Sequence, residues 1–414
     1  MDLDEHGATS STTQTQLPFD KPLTERRKKE ITKAIVDFIA MDMRPISVIE
    51  GAGFIRMIKA MAPGYTIPCR TTITKQISLL HDTTREKLKS DIDNAAAVAF
   101  TTDAWTSVAT EAYMAVTCHF ISDEWELEGY VLETKELDVA HTGANIAERL
   151  SEVAEAYDIP NYKRVAIVHD NASNMKLCTA TLKKDPEHWG KVQGVYCAGH
   201  TLQLCINASL AGDRIRRMVA AGRNLVTHFR KSTKATTALK AKQDAQGVVD
   251  HALIQDVNTR WNSTLFMLAR LVEQRWPITA VLSDSTVSKK SDRSLDLTSD
   301  QWTLASDVAD VLDPFVTLTE LFSLEENVSL SATLRMLNNL KKRHLSPDDT
   351  DSPAIRDLKA TLVTQIDTRW GLENLEPDSI YLLSAALDPR YKHLKFLNDE
   401  VKDKVYTEVR VRLY

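Results

Sequence analysis

No apolar run in the 414 residues approaches the length of a membrane span, and the polar N-terminus shows no signal-peptide pattern, so a membrane protein is not expected. Cysteine is scarce: five residues, an odd number without regular spacing, point to reduced thiols in a cytosolic or nuclear compartment rather than a disulfide framework. Cys197-Ala198-Gly199-His200 is half of a zinc site, but no second half with finger spacing is present, and no structural zinc is expected. An excess of positive charge is also missing. With a net charge of −6 the protein is no polycation, and any nucleic-acid binding must use a local basic face. There is no internal repeat. What remains, 43% hydrophobic and 26% charged residues, is ordinary globular material with enough chain for two or three domains.

Two stretches stand out. Ala95-Ala96-Ala97-Val98-Ala99 is a small apolar run that leads into Phe100-Thr101-Thr102-Asp103-Ala104-Trp105-Thr106-Ser107. Arg164-Val165-Ala166-Ile167-Val168-His169 leads in the same way into Asp170-Asn171-Ala172-Ser173-Asn174. Each is a buried strand delivering an aspartate at its end. A pair of such strands can put both carboxylates on one sheet edge, where a divalent cation could sit. Singly, each Asp could equally cap a turn or a helix start.

Helical text precedes these stretches. Glu25-Arg26-Arg27-Lys28-Lys29-Glu30 runs into Ile31, Ile35, Phe38 and Ile39 at helical spacing; its basic cluster is a nuclear address, a phosphate contact or simply a solvated face. Arg70-Thr71-Thr72-Ile73-Thr74-Lys75 opens a helix whose N-terminal end could hold a phosphate, though an ordinary capped helix would read identically.

From about 95 the pattern becomes mixed α/β. Runs at 95–102, 113–121 and 125–137 read as an antiparallel meander, followed by a helix carrying Ile146, Leu150, Val153 and Ala154 and then the strand ending at Asp170. A crossover of that kind gives a parallel neighbour. Three meander strands, a helix and a further strand is the order of an RNase H-like fold, in which the first and fourth strands lie side by side. Asp103 and Asp170 would then be neighbours although 67 positions apart. His200 falls at the start of the next helix, as an anion-facing ring or as a histidine that only satisfies the backbone.

The remainder is helical. Its most basic part, including Arg214, Arg216, Arg217, Arg223, Arg230 and Lys234, could follow a phosphate backbone or be an ordinary charged helix face. Asp256-Val257-Asn258-Thr259-Arg260-Trp261 sets a tryptophan, fit for either solvent or core, between an arginine and Asn262. Ser283–Ser299 and Ser346–Ser352 read as loops, Asp313-Pro314 as a bend, and the last helix starts near Asn398.

The whole closely resembles the hAT-superfamily DNA transposases and the BED zinc-finger proteins descended from them. Phe100–Ser107, His169–Met175, Cys197-Ala198-Gly199-His200-Thr201-Leu202-Gln203-Leu204, Thr259–Thr264 and Ala386-Leu387-Asp388-Pro389-Arg390-Tyr391-Lys392 carry the likeness, in the family's order and across about 25 to 400. It implies an α/β, RNase H-like mixed sheet interrupted by a large all-α insertion and preceded by a small helical domain. In active relatives three acids hold two Mg2+ ions that activate water or a 3′-hydroxyl against a DNA phosphate. By the resemblance Asp103 and Asp170 are the first two acids and metal ligands, His200 lies close to the reacting DNA, and Trp261 stacks on a flipped base. The family's third acid, a glutamate in a Ser-Glu-Arg motif of the C-terminal dimerisation region, and the N-terminal BED finger are not in this text. Glu273 is a replacement by position alone.

The expected organisation is a disordered tail at 1–20, a helical DNA-binding and dimerisation region at 21–92, the first part of the RNase H-like core at 93–212, a helical insertion at 213–375 and a shortened return to the core at 376–414. DNA contacts are assigned to Arg70, Lys75, Arg216, Arg217, Arg260 and Trp261. The expected function is a nuclear, catalytically inactive DNA-binding protein of transposase origin, with DNA and further copies of itself as partners, no membrane and no small-molecule substrate. An active Mg2+-dependent transposase and a protein-interaction scaffold are the alternatives.

Overall fold

The computed structural model describes residues 23–190, 192–324 and 328–413; the tail expected at 1–20 lies outside the described residues. Two compact units divide the chain: one runs up to Ala95 and includes Tyr157–Ile159, the other comprises Ala96–Ala156 and Pro160 onward.

In the first unit, α1 (Glu25–Met41) begins where the Thr24 side chain accepts from the Arg27 N–H. α2 (Ala52–Met61) and α3 (Arg70–Asn94) follow. Ile35, Val36 and Ile39, one stripe of α1, are buried with Ile49, Ile58, Tyr65 and Ile73. The cationic run of α1 is a solvated face laced with ion pairs: Arg26 and Arg27 reach Glu30, Lys28 reaches Glu25 and Lys33 reaches Asp37.

The second unit is built on a five-stranded mixed sheet in the order β3-β2-β1-β4-β5. β1 (Val98–Thr106), β2 (Ala112–Ile121) and β3 (Leu127–Glu136) form the antiparallel meander. α4 (Gly143–Ala156) crosses over to β4 (Arg164–His169), which pairs parallel with β1 as the crossover rule requires. α5 (Ser173–Leu182) and the short α6 (Pro186–Trp189) lead to β5 (Gln193–Tyr196), parallel to β4. This is the RNase H-like topology. Strand periodicity explains the faces: Val98, Phe100 and Thr102 are buried, while Thr101, Asp103 and Trp105 occupy the opposite face. Buried Ile146, Leu150, Val153 and Ala154 of α4 form its core-facing stripe. Glycine at 143 lets α4 and α5 approach, since a Cβ there would come within 2.7 Å of the Leu177 Cβ and 2.8 Å of the Asn174 carbonyl.

α7 (Ala198–Leu210), α8 (Asp213–Lys231), α9 (Thr233–Gln246), α10 (Trp261–Glu273), α11 (Arg275–Ser283), α12 (Ser299–Phe322), α13 (Leu330–His344) and α14 (Pro353–Trp370) share one apolar core extending from Leu202 to Trp370. Pro314, expected at a bend, lies instead inside an uninterrupted α12. Burial of Val311, Leu312, Phe315 and Leu318 on either side of it holds the helix together despite the missing N–H. α15 (Ile380–Leu387) and α16 (Asp399–Leu413) pack through Leu382, Ala385, Leu394 and Val405 against Leu334 of α13. No described helix is long and apolar enough to cross a membrane.

Candidate functional site: an acidic sheet edge and its basic flank

β1, β4 and β5 run parallel, so their C-terminal ends share one edge of the sheet. The parallel ladder ends with Thr101 paired to Val168; Asp103 is two residues further along β1, and Asp170 two residues beyond Val168, just past the end of β4. Asp103 is exposed and makes no hydrogen bond or ion pair among the described residues. Asp170 is half-buried, and its Oδ1 accepts from the Ala172 N–H at 3.0 Å, a local turn cap that leaves Oδ2 without a partner among the described residues. Of the two readings of Asp170, the cap on the turn into α5 is the one this hydrogen bond makes.

β5 brings the third component. The Cys197 N–H donates to the His169 carbonyl at 2.7 Å, so α7 starts at the same edge, and Asn171 Nδ2 donates to Thr201 Oγ1 at 2.8 Å. His200, half-buried, is in the first turn of α7 beside Thr201. Burial pushes the His169 imidazole below its ordinary value, and Tyr196 stands edge-on to it at 5.4 Å. Burial, with Cys197 and Tyr196 nearby, pushes the Tyr381 phenol of α15 up to about 12.

The helical part is tied to the edge through Gln203, one turn beyond His200 on the same face of α7. Its amide donates to the Thr259 carbonyl at 3.0 Å and accepts from the Trp261 N–H at 3.3 Å. Behind the loop, Asp256 is clamped by Arg223 at 2.7 Å, with further bonds from Thr264 at 3.0 Å and Gln255 at 3.2 Å. Burial raises the Asp256 carboxyl, but the hydrogen bonds from Arg223 and Thr264 outweigh it, and the net position is below the usual carboxylate range. The exposed Arg260 is thereby presented close to the start of α7.

Trp261 is placed differently from the stacking role that the resemblance implies. It is 2% exposed and meets Phe315 edge-to-face at 6.3 Å, inside the helical core. An indole in that position has no free face for a base. Glu273 is also elsewhere: it ends α10, about 18 Å along the helix from Trp261, and accepts from His251 and Arg270 at 2.8 Å each. Arg216 and Arg217 are exposed near the start of α8, Arg216 paired with Asp213 at 2.7 Å and Arg217 donating to the Asp213 carbonyl at 3.3 Å. In the other unit, Arg70 at the head of α3 is exposed and 3.9 Å from Glu50, and Lys75 is exposed one turn on.

Sequence reasoning missed Gln203, the Arg223–Asp256 clamp and the use made of Asp388. The Asp388 side chain accepts from Ser331 Oγ at 2.7 Å and from Arg390 at 2.7 Å, pinning the end of α15 to α13. Its neighbour Arg390 holds its carboxyl well below the usual range. The signal for Asp388 and Gln203 was their place in matched motifs; for Arg223 there was none, since its partner is distant in sequence.

Comparison with known proteins adds three domain matches. Residues 21–63 match the Hermes transposase DNA-binding domain, 101–192 the ZBED1 RNase-like domain and 195–311 the ZBED1 RNase-like helical domain. The chain is a relative of hAT transposases and BED zinc-finger proteins. It is 26% identical over 390 residues to the human zinc finger BED domain-containing protein 4, covering 90% of this chain and 31% of that protein. The identity is 28% over 382 residues to the human zinc finger BED domain-containing protein 6, covering 88% and 38% respectively. An AC transposase of Zea mays is 24% identical over 393 residues, covering 90% and 47%. The chain thus spans less than half the length of each of these transposase-related proteins.

Proposed function

We propose that this chain is a nuclear DNA-binding protein of transposase ancestry that binds without cutting, with DNA as its partner and regulation of transcription as its use. The match of residues 21–63 to a transposase DNA-binding domain carries the proposal. Exposed Arg70, Lys75, Arg216, Arg217 and Arg260 supply phosphate contacts, and in a protein of net charge −6 such local cations must do that work. Self-association, implied by the resemblance, belongs to the same proposal and is read by light scattering.

Inactivity is argued from the donor set. The carboxylates of Asp103 and Asp170 are the hard oxygen donors that Mg2+ prefers. A two-metal centre needs more acidic ligands than these two, and Glu273 is engaged by His251 and Arg270. Bound there, a single ion would neutralise a DNA phosphate; Asp103 and Asp170 would hold it, and His200 and Arg260 would flank the strand.

The experiment is DNA binding across a salt series for the wild type and Asp103→Asn. The expected result is an affinity falling steeply with salt and preserved in the variant. Absence of any salt-sensitive affinity sinks the proposal. The exposed Asp103 carboxylate favours one second reading, an Mg2+-dependent nuclease. Nicking of duplex DNA that disappears in Asp103→Asn would establish it in place of the first.

A further inference from the structure

Arg260 combines a free side chain with a pinned backbone. Its guanidinium makes no hydrogen bond or ion pair among the described residues, whereas Arg70 and Arg216 each lie within ion-pair reach of a carboxylate. The backbone around it is held on both sides. The Arg260 N–H donates to the Val257 carbonyl at 2.8 Å, and the Arg260 carbonyl accepts from the Ser263 N–H at 3.0 Å and the Ser263 hydroxyl at 2.6 Å. The same hydroxyl oxygen accepts from the Val257 N–H at 2.8 Å. The two residues flanking Arg260 are taken by one side chain: Gln203 Nε2 donates to the Thr259 carbonyl, and Gln203 Oε1 accepts from the Trp261 N–H. An amide can do this because it carries a donor and an acceptor on one carbon. Gln203 thus brackets residue 260 much as a neighbouring strand would. α7 gives the amide a fixed base: Leu202, Cys205 and Ile206 beside it are fully buried, and Thr201 accepts from Asn171 and donates to the Cys197 carbonyl at 2.8 Å.

We infer that Gln203 is a positioning residue: its amide orders the segment around Arg260 before DNA arrives, so that the guanidinium meets a DNA phosphate from a fixed root. This rests on the DNA-binding reading above and deepens it. The gain is entropic. Ordering a long side chain and the loop that carries it opposes binding, and a segment already held in the folded protein has less freedom to lose. Direction matters too, because a guanidinium offers its donors as a planar fork rather than as a point charge. Gln203 itself makes no contact with DNA, since both ends of its amide are engaged by backbone.

The test uses the whole 414-residue chain and duplex DNA across a salt series. Affinity is measured for the wild type, Gln203→Met, Gln203→Asn, Arg260→Ala and each Gln203 variant combined with Arg260→Ala. Methionine keeps the length of glutamine and removes both hydrogen bonds. Asparagine keeps the amide and withdraws it by one methylene, so the fold is preserved in at least this variant. Arg260→Ala should lower the slope of log affinity against log salt by about 1, the share of one phosphate contact. Each Gln203 variant should lower affinity about two- to tenfold, the range for one side chain that must be ordered on binding, and should change nothing further once Arg260 is alanine. Tryptic cleavage after Arg260, followed without DNA, should be faster in both Gln203 variants, since cleavage needs a backbone able to leave the fold. The inference is overturned, with the DNA-binding reading left standing, if DNA affinity is indifferent to Arg260→Ala or to the Gln203 variants. It is equally overturned if those variants cost the same with and without Arg260, or if cleavage after Arg260 is no faster in them. A protein without any DNA affinity overturns both.

Discussion

Trp261 separates two accounts of the loop at Asp256–Trp261. If its indole is a base-stacking platform, removing it should cost DNA affinity and leave the fold untouched. The structure puts it 2% exposed against Phe315, which makes it a core residue. Truncating such a side chain to alanine removes its transfer free energy and opens a cavity, costing roughly 3–5 kcal/mol. In a domain of this size each kcal/mol lowers the melting midpoint by about 2–4 °C, so Trp261→Ala should lower it by roughly 6–20 °C. Trp261→Phe keeps a ring edge-on to Phe315 and should lose much less. Far-UV circular dichroism melts of wild type, Trp261→Phe and Trp261→Ala provide the stability series, and duplex and single-stranded DNA binding of the folded variants provides the functional one. The expected pattern is a graded loss of stability with the DNA affinity of Trp261→Phe unchanged. A Trp261→Ala protein that melts with the wild type but no longer binds DNA would refute the reasoning, since the indole would then have to be outside the core in solution.

Asp256→Ala should cost about 3 kcal/mol, at the lower end for a broken buried pair because Arg223 keeps 35% of its side chain exposed; urea unfolding measures it. Because the folded Asp256 carboxyl sits below its unfolded value, its contribution is fully present above the unfolded value of about 4 and is lost as pH falls through the folded one, so the wild type and Asp256→Ala should converge in stability in strong acid. Gly143→Ala should destabilise by about 1–3 kcal/mol, because the new methyl meets backbone at Asn174 as well as the Leu177 side chain; thermal melts would show otherwise if α4 can simply slide. Arg216→Ala/Arg217→Ala should reduce the salt slope of DNA binding by about 2 with little change in melting midpoint, and an unaltered slope would remove α8 from the DNA interface.

Much of the fold was legible in order along the chain. The alternation around Val98, Phe100 and Thr102, the helical stripe at Ile146, Leu150, Val153 and Ala154, and the crossover to the strand ending at His169 are local patterns, and local patterns set strand and helix type. Together with the handedness of crossovers they also imply that β1 and β4 are parallel neighbours, as the ladder ending at Thr101 and Val168 has them. The sequence by itself therefore determined the order of elements, the adjacency of β1 and β4 and the kinship of the chain. Tertiary structure alone decided which face each of the remaining residues uses. Trp261 turned inward because α12 supplies Phe315 to cover it, Pro314 stayed in a helix because its flanks are buried, and Glu273 was taken up by His251 and Arg270. Whether a side chain is a contact for DNA or a brick in the core depends on what distant segments bring against it, and that is a property of packing rather than of sequence neighbourhood.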